Sequence, residues 1–253
     1  MELDRAALKS RKTLVRGIIG LTARPAQAWW RILLLLLGCQ IVLLGLHFTA
    51  TVILSDLAAE TIDGQIGGFD LEAEGTIAVW FSSLQLLLMG ILCLFISWFD
   101  RDGRHGRKPD FWSLGVLVFI LMSIDETAAL HEMFGGSMVR FFPRVPISAS
   151  HWWAIPYGAV LGTFFIFLVL RLRRFPRLLA GTVAGVGLWA LSIFLEIYWL
   201  LPDWANVAME EWAEMLGTAC LIGVFGFYLL ALAGPEEKPR KDHQIKKPTA
   251  GRR

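Results

Sequence analysis

Residues 112–133 read WSLGVLVFILMSIDETAALHEM. Up to Ile124 the stretch is almost wholly apolar, and then Asp125-Glu126 and His131-Glu132 interrupt it. About 20 apolar residues cross the ~30 Å hydrocarbon core of a bilayer as a helix. An ionised carboxylate near the centre of such a helix costs about 2.5–3.5 kcal/mol on insertion scales. A membrane helix carrying these groups must pair them, protonate them, hold a cation with them or bathe them in water. The acids are therefore where function is to be sought.

The rest of the chain repeats the pattern. It has 253 residues, 55% of them hydrophobic, with mean hydropathy +0.55. That exceeds the ~45–50% apolar content of an ordinary soluble domain, and the excess falls in runs. Six runs have membrane length, at about 30–54, 78–98, 112–133, 153–171, 178–200 and 209–233. They predict an all-α, polytopic transmembrane bundle of six spans. Residues 1–28 form a basic tail, 29–233 the membrane domain, and 234–253 a Pro- and Lys-rich tail expected to be disordered. Leu14 to Leu21 has the spacing of a short amphipathic helix on a membrane surface.

Charge is segregated along the chain. Lys and Arg crowd the N-terminal tail, Arg101 to Lys108, Arg171 to Arg177 and the C-terminal tail. Residues 55–77 have none but hold six acids, and 201–208 have none. Only Arg140 and Arg144 break the alternation. The positive-inside rule then puts both termini in the cytoplasm of a bacterial inner membrane, with the bilayer as the first partner. A net charge of +2 gives no reason to expect a nucleic-acid partner. Trp29, Trp30, Trp98 and Trp112 are expected at the inner interface and Trp189 in the core. Cys39, Cys93 and Cys220 lie inside apolar runs, so no disulfide framework is implied. Gly158/Gly162 and Gly181/Gly185 have the small-xxx-small spacing of close helix packing.

With the topology in place, the intramembrane acids share one depth. Asp125 stands thirteen residues beyond Trp112, about 20 Å along the helix. Glu126, His131 and Glu132 lie further out, Glu196 is near the outer end of the fifth span, and Glu210, Glu211 and Glu214 open the sixth. His47, Ser82, Ser83 and Gln85 fall at a similar level and are expected to line a periplasm-facing cavity with Glu210. On one continuous third helix, Asp125 and Glu132 point about 20° apart, Glu126 about 100° to one side and His131 about 120° to the other. That helix does not aim all four at one atom; Asp125 and Glu132 form its seam. Residues 134–152, with Gly135-Gly136, Pro143 and Pro146, are expected to connect or cap.

Three chemistries suit the cluster. Asp125, Glu126, His131, Glu132, Glu196, Glu211 and Glu214 are candidate ligands for a divalent metal ion, since carboxylate-rich helical bundles hold hard cations. In that case Asp125, His131 and Glu132 are the candidate catalytic residues of a hydrolase or transferase acting on a lipid-type substrate, the metal activating water and His131 moving protons. Arg140 and Arg144 would attract an anionic headgroup. Alternatively the acids relay protons or cations in a small coupled transporter, or they pair with a partner's membrane helix in an accessory subunit. A structural role is also open to Glu210 and Glu211, because negative charge is favoured at a helix N-terminus. No Gly-x-Ser-x-Gly turn supports a serine nucleophile.

Ser123-Ile124-Asp125-Glu126 with His131-Glu132, and Glu210-Glu211 with Glu214-Met215-Leu216-Gly217, resemble strings in a large group of uncharacterised bacterial multi-pass membrane proteins. Trp80 to Ser83 and Trp153-Ala154-Ile155-Pro156 are similar to it too. The resemblance implies six helices and no particular activity. Ceramidase-like membrane hydrolases are an analogy only, and this chain lacks their His-x-x-x-His pair.

Overall fold

The computed structural model describes residues 25–50, 71, 75–100, 111–142, 151–198 and 200–233. The side chains of Glu132 and Asp203 lie outside that description, as do the amphipathic stretch 14–21, nearly all of the acidic segment 55–77, Arg101 to Lys108, Arg144 and the C-terminal tail. The described residues form seven helices and no strand: α1 (Pro25–Phe48), α2 (Ile77–Asp100), α3 (Phe111–Ala128), α4 (Leu130–Phe141), α5 (Ala154–Leu172), α6 (Pro176–Tyr198) and α7 (Asp203–Ala233). All but α4 are long and apolar enough to cross a bilayer. The chain is a multi-pass membrane protein.

α7 is the hub. α1, α2 and α6 pack against it, α3 packs on α2, and α5 bridges α3 and α6. The main core is aromatic. Phe164 stacks on Phe111 with ring centroids 4.6 Å apart and meets Phe119 edge to face at 5.3 Å. Trp112 meets Phe225 edge to face at 5.7 Å. Such tilted pairs suit the quadrupoles of aromatic rings. Trp112 is therefore core and not, as its position at a span end suggests, an interface anchor; it is 2% exposed. Its indole N–H, which needs a partner when buried, donates to Asp100. Arg171 also bonds Asp100, and its Nε donates to the Tyr228 hydroxyl. This ion pair closes the end of the bundle opposite Asp125.

Two glycine pairs look alike in sequence and behave differently. A Cβ on Gly185 would stand 2.9 Å from the Gly217 carbonyl oxygen, and one on Gly217 would stand 2.6 Å from Trp189 Cδ1. α6 and α7 thus touch backbone to backbone, as small residues permit in lipid. Nothing lies within 4 Å of a Cβ at Gly158 or Gly162. Large side chains such as Leu34, Leu35, Trp80, Ile166 and Phe141 point outward, which costs nothing where the surroundings are hydrocarbon.

The third span departs from expectation. It does not run unbroken to Met133: α3 ends at Ala128, Ala129 takes left-handed φ/ψ of 48° and 38°, and α4 starts at Leu130. Within the expected connecting or capping segment, residues 134–141 continue this helix.

Candidate functional site

The break at Ala129 organises the site. The first amides of a helix have no partner within it, and the α4 start lacks a cap from Ala129 itself. Asp125 supplies one from the preceding helix: its Oδ1 accepts the His131 backbone N–H at 2.7 Å. Its Oδ2 lies 3.2 Å from His131 Nδ1 and also accepts the Tyr157 hydroxyl of α5. Asp125 is 6% exposed, so these donors replace the water it has lost. The angles drawn on a continuous helix do not apply, because the left-handed residue swings His131 back onto Asp125. Trp153 meets the His131 ring edge to face at 5.7 Å and Tyr157 at 5.4 Å.

The facing wall comes from α6 and α7. Trp189 Nε1 donates to the Glu214 carbonyl and to Thr218 Oγ1, both at 3.1 Å. The glycine contact below it brings the two backbones together there. Beyond it, Asn206 Nδ2 donates to the Leu195 carbonyl at 3.1 Å and its Oδ1 accepts from the Leu201 amide at 3.4 Å. This buried amide fixes the turn that sets Glu196 beside the start of α7.

Between these walls lies a cavity of about 420 Å³. Asp125, Glu126, His131, Glu196, Glu210, Glu211 and Glu214 all line it, from α3, α4, α6 and α7. His151, Tyr157, Trp153, Trp189 and Ser192 complete its polar and aromatic surface. His151 therefore faces the cavity and not only the membrane interface. No Lys or Arg is among the described residues that line it.

Four residues expected there are elsewhere. His47 is held at both nitrogens: Nδ1 accepts from the Leu71 amide at 3.2 Å, and Nε2 is 3.4 Å from the Trp204 carbonyl. Ser83 Oγ donates to the Ser123 carbonyl at 2.7 Å, joining α2 to α3. Ser82 and Gln85 are buried in α2 and are not among the cavity residues. Tyr157 and Asn206 went unmarked in the sequence. Tyr157 follows Trp153 by four residues, one helical turn, which puts both on one face.

Among the described residues, no three His, Cys, Asp or Glu side chains are placed to hold a metal ion. Both Asp125 oxygens already accept from protein donors, and a metal would have to displace them.

A family model described as Domain of unknown function (DUF8692) matches residues 47–229. The chain belongs to this family. The matched region runs from His47 to Leu229 and so takes in every cavity residue. No curated protein and no solved structure matches the chain.

Proposed function

We propose that the protein is a proton-coupled cation carrier whose binding site is the acid-rich cavity. The observation that carries this reading is the cavity's composition: six carboxylates and two imidazoles share about 420 Å³, with no Lys or Arg among the described residues that line it. Two like charges 4 Å apart repel by about 4 kcal/mol at an effective dielectric of 20. A space so lined draws positive charge from water, as protons or as a bound cation, and the two compete for the same oxygens. Proton competition is the elementary step of coupled transport. Trp153, Tyr157 and Trp189 offer ring faces, which suit an organic ammonium as well as an inorganic ion. Asp125, committed to Tyr157 and His131, is the fixed corner; Glu196 and Glu214 are the exchanging groups.

The test uses the full chain in proteoliposomes with a trapped pH indicator. A series of Na⁺, K⁺, Mg²⁺, Mn²⁺ and small alkylammonium ions is added outside against an acid interior. At least one cation is expected to discharge the proton gradient, and Glu196→Gln/Glu214→Gln to slow this about tenfold or more, as loss of a single ~1.4 kcal/mol of binding already would. No proton movement with any cation overturns the reading. So does a stoichiometric divalent metal that survives purification and is lost in Glu214→Gln, which would favour a metal-dependent hydrolase or transferase.

A further inference from the structure

A second concavity lies at the other end of the bundle. α1 and α6 both pack on α7 but leave a groove between them of about 870 Å³. Its walls are Trp30, Leu33 and Leu37 on one side and Leu178 and Gly181 on the other; small residues of α7, Ala219 and Gly223, are in its floor. No acidic residue lines it among the described residues. At its mouth stand Arg174 and Arg177, both exposed, in the α5–α6 turn and the first turn of α6. Arg171, one turn earlier, is spent on Asp100. Neither Arg174 nor Arg177 makes an ion pair among the described residues. Trp30 is 56% exposed and its ring lies 5.3 Å from that of Phe227, at the same mouth. An exposed indole beside arginines marks headgroup level.

We propose that this groove is a binding site for one anionic phospholipid, its acyl chain along the α7 floor and its phosphate between Arg174 and Arg177. A guanidinium presents paired N–H donors that match phosphate oxygens. The size is at the upper end of pockets that enclose most of a small ligand, about 300–1,000 Å³. An apolar trough alone takes any lipid tail; the two guanidinium groups at its open end, without an ion pair among the described residues, select the charged headgroup. The groove stands apart from the acid cavity: Glu196 is twenty residues along α6 from Pro176, about 30 Å. The lipid site and the carrier reading therefore stand or fall separately.

Native mass spectrometry of the full chain in detergent, titrated with phosphatidylglycerol or phosphatidylcholine, tests it. The wild type is expected to retain one phosphatidylglycerol with a preference of about tenfold or more, since each basic residue at a membrane surface contributes about 1 kcal/mol. Arg174→Gln/Arg177→Gln is expected to bring the preference to about twofold or less. Cys220→Trp fills the groove and is expected to expel both lipids; Ala219→Leu does the same with less bulk if the tryptophan prevents folding. Equal retention of the two lipids by the wild type overturns the proposal. So does an undiminished preference in the arginine variant, or lipid retention undisturbed by both groove-filling variants. A wild-type dimer that carries no lipid would put a second copy in the groove and overturn it too.

Discussion

Asp125 accepts two hydrogen bonds, one from the His131 amide and one from the Tyr157 hydroxyl, and its Oδ2 lies 3.2 Å from His131 Nδ1. Each donor is partly buried, and a buried donor stripped of its acceptor costs about 1–3 kcal/mol. Asparagine offers one acceptor oxygen where aspartate offers two, and its amide meets donors with donors. Asp125→Asn is therefore expected to lower stability by about 2 kcal/mol and Asp125→Ala by more, read as a fall in thermal midpoint in detergent. Glu196 makes no hydrogen bond or ion pair among the described residues, and Glu196→Gln is expected to leave the midpoint within a degree or two while weakening any cation-dependent shift. Equal midpoints for wild type and Asp125→Ala would mean that the corner at Ala129 is held by something else. Tyr157 was hidden from a sequence reading because a tyrosine in an apolar run reads as packing; only the folded position of Asp125 gives its hydroxyl a task.

At the scale of elements, the α6–α7 seam controls the cavity wall. A side chain at Gly217 collides with Trp189, and one at Gly185 with the α7 backbone. Overpacking of this kind costs about 1–3 kcal/mol. Gly217→Val is expected to lower the thermal midpoint and to release the Trp189 bond to Glu214, whereas Gly158→Ala and Gly162→Ala are expected to leave the midpoint unchanged. If Gly162→Ala and Gly217→Val proved equally harmful, α6 and α7 would not approach as described. The small-xxx-small string is the same in both places, so spacing announces that close packing is available and not where it is used. Six spans were legible because bilayer thickness fixes helix length, and the shared depth of the acids followed from that. The break at Ala129 was not. Thr127-Ala128-Ala129-Leu130 holds neither Gly nor Pro, and alanine is the best helix former. The left-handed turn there is paid for by tertiary bonds to Asp125, and no local rule contains them.

The whole molecule has two unlike ends. One carries the acid cavity and the exposed helix α4; the other carries the Asp100–Arg171 pair, Arg173, Arg174 and Arg177. The positive-inside rule counts basic residues in short loops near span ends, and the basic α5–α6 turn lies at the second end. That end, with both termini, is thus expected in the cytoplasm, and the cavity opens to the other side. Ser137 and Arg173 are both exposed, on α4 and in the α5–α6 turn. In a chain whose Cys39, Cys93 and Cys220 are replaced, Ser137→Cys is expected to react with a membrane-impermeant maleimide in intact cells, and Arg173→Cys only after permeabilisation. The reverse pattern would invert the bundle. The cavity would then take its cation from the cytoplasm, and the carrier would be a route of export driven by protons returning through the same carboxylates. With the expected pattern, the cavity meets the external solution first, and on the proposed carrier reading a proton gradient directed inward would drive protons into the carboxylates from the side where the cation binds. Cation and proton then compete at one mouth, so raising external acidity is expected to weaken cation binding from outside without changing its maximum.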